Sequence, residues 1–168
     1  MSDVKSLYDE DFFLWSKAQA EALRAAAHSA TNQPIDWENV AEEIESLGRS
    51  DKRELSSQVG RIIEHLLKLE FSLASEPRLG WIGSVGDARN EIERLLEDSP
   101  SLRREIDTVI AAETKRGSRK AIRELEKYGE LNPTKLVRIR ATTYTPDELL
   151  GDWFPAEPER EPPAPGGQ

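Results

Sequence analysis

Two histidines, no cysteine, 32 acidic and 23 basic side chains are the chemistry-bearing residues of this chain. Their densest mixture is EEIESLGRSDKRELSSQVGRIIEHLLK, from Glu42 to Lys68. Carboxylates beside an imidazole are the parts of metal centres and of acid–base pairs. The candidate ligand or metal site is therefore His65 with Glu43 or Glu45, joined by Arg89. Spacing limits this site. On a straight helix Glu43 and Glu45 project about 100° to either side of Ile44, so they cannot converge on one ion. Carboxylate-bridged metal bundles place Glu three residues before His, but Ile62 stands before His65 and Ala25 before His28. Thiolate ligation is excluded, and two histidines fall short of a zinc set. No EF-hand loop, G-x-S-x-G or H-E-x-x-H is present. GWIGSVG (80–86) spaces its glycines unlike a dinucleotide or Walker loop, and reads as a turn before a helix. No metal is indicated, no cofactor is expected, and an enzyme is the less favoured reading.

A second constellation is basic. Lys115, Arg116, Arg119, Lys120, Arg123 and Lys127 recur at helical spacing, interrupted by Glu124 and Glu126. The chain carries −9 overall, yet residues 103–140 carry +5, while 1–102 carry −9 and 141–168 carry −5. Such a strip is a solvated helix face, a phosphate-binding strip, or a dock for an acidic protein, a second copy included. Only Tyr128 lies near enough to stack a base, so a nucleic-acid module is the weaker of the binding readings.

The elements that would carry these residues are helical. Phe12, Trp15, Gln19, Ala22, Leu23 and Ala26 predict a first helix over about 9–30. Asn32-Gln33-Pro34 breaks it. Asp36 caps a second helix with the stripe Trp37, Val40, Ala41, Ile44 and Leu47, which Gly48 ends as a left-handed C-cap. Ser50 then starts a third, whose Leu55, Val59, Ile62, Ile63, Leu66, Leu67, Leu69 and Leu73 sweep an arc wide enough to touch several neighbours. His65 falls roughly 40° beyond the Leu69 edge of that arc. It is a boundary residue, packing one face and hydrogen-bonded at its rim. Trp81, Ile82, Val85, Ala88, Ile92, Leu95 and Leu96 give a fourth helix. Ser99-Pro100 opens a fifth, which ends near Gly129 and is weakest at Gly117. KLVRIRATTY after Asn132-Pro133 reads as irregular or extended. Thr145-Pro146-Asp147-Glu148 is a capping box for a short last helix. Trp153-Phe154 is expected to latch back onto the helices, and the proline-rich stretch 155–168 to be disordered.

Taken together, YDEDFFLW (8–15), DWENVAEEIESLGRSDKREL (36–55), HLLK (65–68), the Trp81–Arg89 segment, DSPSLR (98–103) and YTPDELLGDWFP (144–155) resemble a bacterial family catalogued as domain of unknown function 29. The resemblance covers nearly the whole chain in the family's order. It implies a helical fold and supplies no activity. The chain departs from the family's pattern near the C-terminus, where RIRATTYTPDELL stands in place of an FP…CPYT-like element and its cysteine is absent.

The expectation is an all-α fold: one helical-bundle domain over 1–154 with five main helices and a short C-terminal one, then the tail. MSDVKSLYDEDF is not a secretory signal, no stretch of 18 apolar residues exists, and a cytoplasmic protein without membrane contact is expected. Its function reads as a non-catalytic module that binds a protein partner or itself. The alternatives are the Glu/His ligand site and nucleic-acid binding through 115–127.

Overall fold

The computed structural model describes residues 4–29 and 33–159. The fold is all-α, and no strand occurs among the described residues. Helices run as α1 (Val4–Glu10), α2 (Phe12–Ala27), α3 (Trp37–Phe71), α4 (Arg78–Asp98), a 3-10 segment (Pro100–Glu105), α5 (Ile106–Lys127), α6 (Pro133–Ala141) and α7 (Pro146–Leu150). The chain forms two compact units, one of 1–58 with 90–109 and one of 59–89 with 110–168.

In the first unit the expected first helix is two. Asp11 takes an extended backbone and its carboxylate accepts from Leu14 N at 2.9 Å, so α2 begins afresh there. The same carboxylate accepts from Ser101 N at 2.6 Å and Ser101 Oγ at 2.9 Å, at the start of the 3-10 segment. Ser99 answers by accepting from Phe13 N at 3.1 Å and donating to Asp51 at 3.0 Å. Two helix starts thus cap one another, which satisfies N–H groups that have no intrahelical partner. Asp11 and Ser99 are buried in consequence. The predicted end of this helix at Ala30 lies outside the described residues; α2 stops at Ala27, where the His28 ring meets the Arg24 carbonyl at 2.7 Å.

The predicted break at Gly48-Arg49-Ser50 does not occur: α3 runs unbroken for 35 residues. Gly48 has no positive φ, and a Cβ placed on it would collide with the Ser16 hydroxyl and come within 3.3 Å of Phe13. The glycine is there for close packing of α2 on α3. Gly129, with φ of 69°, is the left-handed terminator, and it ends α5.

In the second unit the α3 stripe forms the core, with Val59, Ile62, Ile63, Leu66 and Leu67 fully buried; Leu73 alone of the expected set is exposed. α5 is continuous through Gly117, whose Cβ would stand 2.7 Å from Ile63 Cγ2. Most of the KLVRIRATTY stretch, expected as irregular or extended, lies in α6 (Pro133–Ala141). Asn132 caps it by accepting from Lys135 N at 2.8 Å, and Pro133 fills a first-turn position where no N–H is needed. The capping box at Thr145 and Glu148 is formed as read. Residues 155–159 are irregular, with Glu157 3.2 Å from Arg78, and the rest of the expected disordered stretch lies outside the described residues.

Candidate functional site

The carboxylates of the first constellation belong to the first unit. Arg24 on α2 reaches Glu38 at 3.3 Å, Glu42 at 3.5 Å and Glu45 at 2.7 Å, and Arg49 joins Glu42 at 2.5 Å. Hydrogen bonding from Arg24 holds the Glu45 carboxyl below the usual carboxylate range. Glu45 is thereby one acid in a two-arginine cluster that ties α2 to α3. Glu43 is exposed.

His65 lies in the second unit, half-buried as its boundary position implies. Its Nδ1 is sequestered and has no hydrogen-bond partner among the described residues, so the expected rim bond is not made there by that atom. Burial, with the nearby Lys68 charge, pushes the imidazole below its ordinary pKa, so the ring is neutral at pH 7. No group of three or more His, Asp or Glu able to hold a metal ion occurs among the described residues.

Arg89 is also in the second unit, and its work is structural. It donates to the carbonyls of Leu149 at 2.8 Å, Glu148 at 2.9 Å and Trp153 at 2.7 Å. The guanidinium lies 4.7 Å from the Phe154 ring centroid. These bonds satisfy the orphan carbonyls at the end of α7 and hold the Trp153-Phe154 latch in place. Glu43 and Glu45 thus belong to the first unit, and His65 and Arg89 to the second.

The basic strip splits into two rows. Arg116 pairs with Glu113 at 2.8 Å, Lys120 approaches Glu64 at 3.6 Å, and Lys127 lies 5.4 Å over the Tyr128 ring. Lys115, Arg119 and Arg123 fall four residues apart along the other side of α5. All three are exposed, and none has an ion-pair partner among the described residues. They face a shallow groove of about 520 Å³, whose opposite side supplies a fourth cation, Arg140 of α6. Arg140 is likewise exposed and unpaired among the described residues. Ala111 and Ile122 give the groove an apolar floor, and no carboxylate lines it. Arg140 is missing from the expected strip because KLVRIRATTY (135–144) reads as irregular or extended. The Asn132-Pro133 cap was the signal that would have found it.

Residues 7–154 match the family described as Domain of unknown function DUF29. The chain belongs to that family. It is also similar to a solved structure described as an alpha-helical protein of unknown function (rru_a3208) from Rhodospirillum rubrum, at 27% identity and a TM-score of 0.67. The match covers 86% of this chain and 89% of that one. No curated protein matches the chain. No helix among the described residues is long and apolar enough to cross a membrane.

Proposed function

We propose that this DUF29 protein is a non-catalytic, cytoplasmic interaction module, with residues 1–154 working as one domain. It docks an acidic segment of a protein partner in the groove between α5 and α6. The observation that carries the reading is the convergence of Lys115, Arg119, Arg123 and Arg140 without acidic partners among the described residues. Like charges on successive turns of a helix repel by about 0.2–0.5 kcal/mol per pair. A chain that carries such a row without pairing it holds a surface suited to an external anion.

The floor decides the kind of anion. Ala111, Ile122 and the aliphatic stems of the cations suit an apolar side chain flanked by carboxylates. Single-stranded nucleic acid needs aromatic platforms, and none lines the groove. The net charge of −9 further repels a long phosphate backbone.

The test compares wild type with the Arg119→Glu/Arg123→Glu double variant as bait in bacterial lysate with and without nuclease treatment, at low salt and at about 0.5 M salt, where surface electrostatics is screened. The expected result is a protein retained by wild type at low salt, lost at high salt and lost by the variant. Equal retention by both baits would refute the docking groove. Retention that disappears only on nuclease treatment would transfer the groove to nucleic acid.

A further inference from the structure

We propose a second, independent binding site, in the pocket where the end of α3, the start of α4 and the end of α5 meet, for a small planar molecule with a lactam edge. In such an edge a carbonyl and an N–H stand side by side, as in a nucleobase or a cyclic peptide amide. The pocket encloses about 640 Å³, within the range of small-molecule sites.

Its rim is fixed by the 72–77 segment. Ser72 Oγ donates to Glu130 at 3.0 Å and Leu73 N donates to its other oxygen at 2.8 Å. Arg78 donates to the carbonyls of Ser72 at 3.2 Å and Leu69 at 3.0 Å. A rim held this way needs little ordering when a ligand arrives, which lowers the entropic cost of binding.

The floor carries an incompletely used cation. Lys68 is 5% exposed, and its ammonium lies 5.9 Å from the Trp81 ring centroid. An ammonium has three donors. One goes to Glu64 at 2.7 Å, while Glu124, at 3.8 Å, is beyond hydrogen-bond reach. Buried donors are ordinarily filled, so this atom is suited to an acceptor entering the pocket. Glu124 is the matching acceptor: it lines the pocket, its side chain is 39% exposed, and no hydrogen bond engages it among the described residues. Glu130, by contrast, has both oxygens occupied.

A donor and an acceptor 3.8 Å apart, beside an aromatic wall of Trp81 with Tyr128 at the mouth, define the ligand. Its carbonyl accepts from Lys68, its adjacent N–H donates to Glu124, and its ring packs on the indole. The local charges argue against a plain anion. Lys68 and Lys120 are balanced by Glu64 and Glu124, so an added carboxylate would meet no net positive field.

The probes are uridine, 3-methyluridine, cyclo-glycylglycine and benzoate, read on the Trp81 indole N–H resonance, which is assigned with Trp81→Phe. Saturable shifts with uridine, and binding about tenfold weaker for 3-methyluridine, are expected, since methylation removes the N–H. Binding of the cyclic dipeptide with the same residue dependence would support the lactam edge and assign its source to peptides. Glu124→Ala, at a partly exposed position, should weaken binding about tenfold without changing the melting curve. Lys68→Met should do the same or more, but leaves Glu64 with Lys120 alone, at 3.6 Å, so Glu124→Ala is the deciding variant. No saturable shift with uridine or the dipeptide, binding indifferent to Glu124→Ala, or preferential binding of benzoate would each overturn the proposal.

Discussion

Two polar clusters show how differently the same residue types are used in this chain. In the first unit Asp11, Ser99, Ser101 and Asp51 are turned on each other and on the N–H groups of Phe13, Leu14 and Ser101. In the second, Lys115, Arg119, Arg123 and Arg140 line a groove and have no acidic partner among the described residues. Both are built from charged and polar side chains. Physically they are opposites: the first is architecture whose loss unfolds something, the second is surface whose loss unfolds nothing.

The largest effect should come from breaking the first cluster. Asp11→Ala removes three hydrogen bonds at once and leaves the starts of α2 and the 3-10 segment uncapped. One lost cap costs about 1 kcal/mol, and buried donors left unmet cost about 1–3 kcal/mol more. A loss of about 3 kcal/mol in urea unfolding is expected. A loss below about 0.5 kcal/mol, the scale of an ordinary surface change, would show the cluster to be incidental.

Next in size are the helix glycines, which separate close packing from free surface. Gly117→Ala gains about 1 kcal/mol in helix propensity but drives a methyl to 2.7 Å from Ile63 Cγ2. Overpacking costs about 1–3 kcal/mol, so net destabilisation is expected. Gly83→Ala has open space around the new methyl and should stabilise by up to about 1 kcal/mol. Thermal melts of the two variants should therefore shift in opposite directions.

The same glycines explain what could be read in the sequence. Apolar periodicity located α4, α5 and the core face of α3, because burial repeats with the helix period. The capping box at Thr145 was legible because both of its partners are local. The left-handed end expected at Gly48 and the weak point expected at Gly117 do not appear, because a helix glycine can serve an end, a weak point or a close approach. Only the neighbouring helix, Ser16 against Gly48 and Ile63 against Gly117, shows which applies. An acidic Asp11 at a helix start suits the helix dipole on local grounds, while its partner Ser101 lies 90 residues away in sequence. Of the candidate site residues, the row at 115, 119 and 123 was legible as spacing. That it is unpaired depends on where Glu113 and Glu64 point, which spacing does not reveal.

His65 gives a smaller, pH-dependent effect. Its folded pKa is depressed by burial and by Lys68, while the unfolded value is about 6.5. The unfolded chain therefore binds more protons at acid pH, and stability falls as pH drops below about 6.5 toward the folded value. In urea titrations at pH 7.5 and pH 5, His65→Gln should show a smaller difference between the two pH values than wild type. An unchanged difference would mean that His65 is protonated at no cost in the folded state.

The smallest effect tests the other half of the comparison. Arg119→Gln and Arg123→Gln remove no ion pair among the described residues and relieve repulsion along α5, so neither should destabilise. A gain of a few tenths of a kcal/mol is expected for each, in the same urea unfolding assay as Asp11→Ala. If instead either variant is destabilised by 1 kcal/mol or more, the row holds the fold together and the contrast with the Asp11 cluster disappears. A gain on removing the charges would support the proposed docking groove, because the row would then be carried at a cost to the fold. The sign of this small number therefore bears on function more directly than the size of the large one.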